Sequence, residues 1–111
     1  FVRKRPVNQI LGGMYEIPSS PWDENKNSNE KLIKLKSNKN IIYSKTSIKH
    51  EFSHFILFSK IIILNKESVK NFNFQGKWVS RILLENLPIS KLTTKIVNHS
   101  FEELSVLRKF L

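Results

Sequence analysis

The sequence contains no cysteine. That excludes disulfides, a thiolate nucleophile and any thiolate-held metal or iron–sulfur centre within these residues. No apolar run is longer than residues 61–64, far short of the roughly 20 residues of a membrane-spanning helix. No signal peptide opens the chain, so nothing points to export and a cytoplasmic, nucleoid-associated location is expected. Glycine occurs three times and proline four times, so ready-made turns are few. Acidic residues are scarce too: 9 against 19 Lys and Arg, a formal charge of +10.

What is present fits one compact domain. A chain of 111 residues holds one core and is too short for two. With 40% hydrophobic and 25% charged residues it has an ordinary globular composition. The positive charge reads two ways. It suits a polyanionic partner, nucleic acid foremost, through phosphate neutralisation. It also suits compositional bias, since Lys outnumbers Arg 15 to 4 and Ile and Asn are abundant, as AT-rich coding would produce. The chain begins at Phe1 inside a strand-like segment, and we expect it to be a piece of a longer protein.

Residues 1–5 run apolar then basic and end at Pro6, which suits a strand end. The Gly12-Gly13 pair allows close backbone approach or positive φ. Residues 14–17 alternate, and Pro18-Ser19-Ser20-Pro21 breaks the pattern. Trp22 is expected in the core or as a lid, with base stacking as the alternative. Residues 28–36 suit a short helix capped by Ser28, with Leu32, Ile33 and Leu35 inward and Lys31, Lys34 and Lys36 outward. Residues 41–52 read as a strand with Ile48, His50 and Phe52 on one face and Lys49, Glu51 and Ser53 on the other. Residues 55–64, apolar on both faces, suit a central strand. A polar connection over 65–75 and a strand over 76–81 carrying Trp78 follow. Ser90 caps a helix with Ile89, Leu92, Ile96 and Val97 on its apolar stripe. Ser100 with Glu103 fits a second capping box, and Leu104, Leu107 and Leu111 continue the stripe. The predicted class is α+β, a mixed β-sheet flanked by helices.

Between the two long strand-like runs stands His50-Glu51-Phe52-Ser53-His54-Phe55. Hairpins of this kind usually turn on Gly, Asn-Gly or Pro. Here a phenyl ring, a hydroxyl and an imidazole occupy the turn, which points to a tip with work of its own.

Three blocks together resemble the C-terminal domain of MutY-type adenine DNA glycosylases. LGGMYEIPSSPW, residues 11–22, is similar to that family's GG-(M/L)-W-E-F/V-P pattern after a basic strand such as residues 2–6. HEFSHF is similar to its H-x-F-(S/T)-H-F loop. Gly76-Lys77-Trp78-Val79, then Leu87-Pro88 and Lys95, are similar to its G-x-W-V…LP…RK pattern. The resemblance covers residues 1–97. Tyr15 stands where the family often has Trp, and Thr94 where Arg precedes the Lys.

The resemblance implies a Nudix-like (MutT-like) fold over residues 1–111 that recognises 8-oxoguanine opposite adenine in double-stranded DNA. The adenine is removed by a separate N-terminal catalytic domain. Catalytic carboxylates and an iron–sulfur cluster belong to that domain, so no catalytic residue, metal or cofactor is expected here. The parent would be a bacterial base-excision-repair hydrolase of N-glycosyl bonds, with no membrane partner. Oxidation at C8 turns guanine N7 from acceptor to donor and adds O8 as a new acceptor. Ser53 carries a hydroxyl that both donates and accepts, worth roughly 1–3 kcal/mol of discrimination. The resemblance further implies that Phe52 packs or wedges near the lesion pair, that His54 supports the loop or meets a phosphate, and that Lys49 adds a phosphate contact. His50 is read as structural.

Two rival readings stand beside this one. A Nudix hydrolase of oxidised nucleotides needs several carboxylates on one helix to hold divalent metal. Residues 19–36 keep Glu24 and Glu30 but place Lys31, Lys34 and Lys36 there, so the Nudix box is not functional. A non-specific basic nucleic-acid module would use lysines and exposed aromatics without reading any base. Three scattered His without Cys make no metal site.

Overall fold

The computed structural model describes residues 1–22, 41–71 and 75–109. The helix expected over residues 28–36, with Glu24, Glu30 and the three lysines, lies outside the described residues. Two short strands open the chain: β1 (Arg3–Lys4) and β2 (Tyr15–Glu16), antiparallel, with Arg3 opposite Glu16 and Lys4 opposite Tyr15. Pro6 bounds the first and Pro18 the second, since neither ring nitrogen can donate to a ladder. Single bridges flank this ribbon. Val2 exchanges both backbone bonds with Lys77, and Tyr15 N–H donates to the Pro88 carbonyl.

The turn between β1 and β2 uses both expected properties of the glycine pair. Gly13 sits at φ 81°. A Cβ on Gly12 would lie 2.6 Å from the carbonyl oxygens of Pro6 and Val7, so any side chain there forces the turn apart.

The dominant unit is a hairpin of β3 (Ile41–Glu51) and β4 (Ile56–Leu64). Its register shifts between Tyr43 and Ser47, so residues 44–46 oppose Ile61 alone. That bulge lets Ser44 reach the last helix. Helices α1 (Lys66–Asn71), α2 (Arg81–Glu85) and α3 (Lys91–Lys109) complete the described chain. The buried apolar centre is Val2, Ile61, Leu84 and Leu92. Ser44 Oγ donates to Glu103 Oε1 at 2.6 Å, and His99 Nε2 lies 3.1 Å from each of those oxygens, tying β3 to α3.

Five expectations are corrected. A single mixed sheet is replaced, among the described residues, by two antiparallel ribbons, with Tyr15 and Ile89 as the one parallel bridge. Among those residues β4 pairs only with β3, at an edge and not as the expected central strand, and it exposes Ile56 and Phe58. The polar connection contains α1, and the strand over 76–81 reduces to the Lys77 bridge because Ser80 starts α2 by accepting from Leu83 N–H. The second cap at Ser100 is absent. Its hydroxyl donates to the Ile96 carbonyl at 2.7 Å inside α3, and no Gly or Pro interrupts residues 89–109.

Candidate nucleic-acid interface

Ser53 and His54 form the tip of the β3–β4 hairpin. Phe52 N–H donates to the Phe55 carbonyl at 2.8 Å, closing a two-residue loop. Neither loop residue has positive φ, so this is not one of the glycine-dependent hairpin turns. Ring packing holds it instead. Phe52 and Phe55 stack with centroids 4.7 Å apart and planes 20° apart. Trp22 lies against both, at 5.7 and 6.4 Å. His50 meets Phe52 edge-on at 4.8 Å. Each such pair adds about 0.5–1.5 kcal/mol beyond its buried area.

This seat frees the tip. Phe52 is half-buried, while Ser53 and His54 are exposed and their side chains have no hydrogen-bond partner among the described residues. Together with Glu51, Phe55 and Ile56 they line an open concavity. Lys49 is exposed on the opposite face of β3 from Phe52 and pairs with Glu51 at 3.3 Å. An ion pair so open to water holds its Lys weakly, so Lys49 can exchange Glu51 for a phosphate.

Two residues behind the tip were not singled out from the sequence. Arg5 places its guanidinium 3.9 Å from the centre of the Trp22 ring. Nη1 of Arg5 donates to Glu16 Oε1 at 3.0 Å, and its Nε donates to the Ile10 carbonyl at 2.6 Å. Arg3 Nε takes the other Glu16 oxygen at 3.0 Å. The ribbon β1–β2 therefore braces the hairpin tip through Trp22. A clue was present: Arg3 and Arg5 share one face of an alternating segment.

His50 lies behind the tip, edge-on to Phe52, and its hydrogen-bond partner is Lys95. The Lys95 ammonium donates to His50 Nδ1 at 3.0 Å, which requires that nitrogen to be unprotonated. Burial holds the imidazole below its ordinary range, and Lys95 and then Lys91 push it the same way. Its neutral form is thus favoured in the folded state, so this contribution to stability is complete above the unfolded-state value near 6.5. It is lost as pH falls through the lowered folded value. Lys95→Met is expected to raise the His50 titration midpoint in an NMR pH series, leaving it still below the ordinary value because burial is the larger cause. A midpoint that stays put would remove Lys95 as a partner.

The Ser44–His99–Glu103 cluster does not have the arrangement of a catalytic triad. Both oxygens meet the same imidazole nitrogen, Nε2, whereas a proton relay uses the two ring nitrogens separately. Among the described residues no three His, Asp or Glu side chains are grouped to hold a metal ion. No helix among them is long and apolar enough to cross a membrane.

A family model described as NUDIX domain matches residues 1–99. No curated protein and no solved structure matches the chain. The matched span holds both ribbons and the hairpin tip, and ends within α3 at His99.

Proposed function

We propose that this chain, which belongs to the NUDIX domain family, is the lesion-reading domain of an A/G-specific adenine DNA glycosylase. It engages 8-oxoguanine opposite adenine, while a separate catalytic domain of the parent receives the flipped adenine. The single observation that carries the reading is the hairpin tip. An exposed hydroxyl and an exposed imidazole, Ser53 and His54, stand on a braced ring cluster with their polar atoms unused among the described residues. A hydroxyl placed so can accept from N7–H of the oxidised base, the position where guanine itself has only a lone pair. His54 and Lys49 then meet phosphate and fix register without reading sequence.

The resemblance in the three sequence blocks supports the glycosylase context. So does the chain's own composition over residues 19–36, where four lysines, three of them at Lys31, Lys34 and Lys36, stand among the carboxylates Asp23, Glu24 and Glu30. Cations oppose the divalent metal that pyrophosphate hydrolysis by a Nudix enzyme requires.

The test is an NMR titration of the chain with 8-oxoguanine·adenine and guanine·adenine duplexes at one salt concentration. Shifts centred on Phe52, Ser53 and His54, larger with the lesion, are expected. Ser53→Ala is expected to reduce the preference for the lesion about tenfold, with little change in binding to the undamaged duplex. Equal shifts spread over the lysines, with no effect of Ser53→Ala, would leave a basic surface that reads nothing.

A further inference from the structure

We infer that the DNA contact does not stop at the hairpin tip but has a second anchor beyond the other end of β1, Trp78 with Lys66, which grips the sugar–phosphate backbone. This rests on duplex DNA as the ligand of the tip, but not on recognition of the lesion. Alternation along residues 1–5 puts Phe1, Arg3 and Arg5 on one face. Arg5 touches Trp22 and so joins that face to the tip. At the other end Phe1 meets Trp78 edge-on, with centroids 5.4 Å apart and planes 70° apart. The bridge between Val2 and Lys77 fixes this neighbour relation in the backbone. Lys4 and Tyr15 lie on the other face of the ribbon, where Lys4 and Lys77 cover the Tyr15 ring.

Trp78 needs an explanation on its own. It is 52% exposed, though a Trp sheds much free energy by burial. The Lys66 ammonium sits 5.8 Å from its ring centre, and Lys66 makes no ion pair among the described residues. Glu67 is next to Lys66 but lies about 100° round the short helix α1. Glu16, the acid on this face of β1–β2, is already held by Arg3 and Arg5. A flat apolar ring beside an unpaired ammonium, on a face whose acid is neutralised, is complementary to a sugar–phosphate strand. Four residues of extended chain separate Phe1 from Arg5, about 13 Å, so the two anchors are several base pairs apart on a duplex.

The test uses the whole chain labelled with 5-fluorotryptophan, whose two fluorine signals are assigned by Trp78→Phe. Titration with an undamaged duplex of about 16 base pairs should move the Trp78 signal. Trp78→Ala combined with Lys66→Ala should weaken binding of lesion and undamaged duplexes by the same factor, about fivefold, and reduce the salt slope by about one. The ratio between the two duplexes should not change. A motionless Trp78 signal, or unchanged affinity and salt slope in the double variant, overturns the second anchor even if the tip still prefers the lesion. If the lesion preference is absent but the double variant still loses affinity and salt slope, the anchor stands and only the reading at the tip fails.

Discussion

Glu16→Ala is expected to destabilise the domain by about 3–5 kcal/mol in urea unfolding, more than any other single truncation of a charged residue here. The reason is what it leaves behind. Glu16 is 9% exposed and Arg5 8%, and the carboxylate gives one oxygen to each of two guanidinium groups, both at 3.0 Å. Arg3 is partly open to water and would recover hydration. Arg5 would not. Its remaining partners are the Ile10 carbonyl and the Trp22 face, neither of which carries a formal negative charge. Glu16→Gln keeps shape and one acceptor and should lose less. The sharper check is the pair Glu16→Leu and Arg5→Met, which removes both buried charges. If the penalty comes from an orphaned guanidinium, the double variant should be more stable than Glu16→Leu alone. Equal losses in both would mean that β2 packing, and not charge, is what Glu16 supplies.

The same residues show where a sequence stops being legible. The hairpin tip announced itself, because turn-poor chemistry between two apolar runs is a local signal. The Ser90 cap and the alternation over residues 47–52 were local too, and the structure has both. The face that Arg5 shares with Arg3 was legible in the alternation of residues 1–5, but its partner was not, since nothing near Arg5 in sequence tells that Glu16 stands eleven residues away in a two-residue strand. α2 was hidden for a related reason: apolar residues after Trp78 look extended until Ser80 accepts from Leu83 and starts a helix. The continuity of α3 turned on one hydroxyl. Ser100 had two options, a cap or a bond to the carbonyl four residues back, and propensity does not choose between them. The Ser44 contact depends on a bulge that shifts the register, a tertiary fact with no marker at residues 44–46.

Phe52→Ala should have the largest effect on binding. It removes three ring contacts at once: the stack on Phe55, the tilted contact with Trp22 and the edge of His50. Because Phe52 is only half-buried, the global loss is expected to be modest, about 1–2 kcal/mol. The local loss is greater in consequence. Ser53 and His54 have no hydrogen bonds of their own among the described residues, so the ring stack and the closing bond from Phe52 to Phe55 are what fix their direction. Affinity for the 8-oxoguanine·adenine duplex should fall about 30-fold, equivalent to about 2 kcal/mol. The undamaged duplex, which on the proposed reading is bound through phosphate contacts alone, should lose much less. Phe52→Leu separates ring from volume: it refills the apolar seat without a stacking partner for Phe55, and should fall between the two. Amide shifts of Ser53 and His54 should move toward random-coil values in step with the loss of preference. A variant whose tip is disordered yet still prefers the lesion would show that reading does not depend on the ring seat, and would separate the fold of this loop from the function proposed for it.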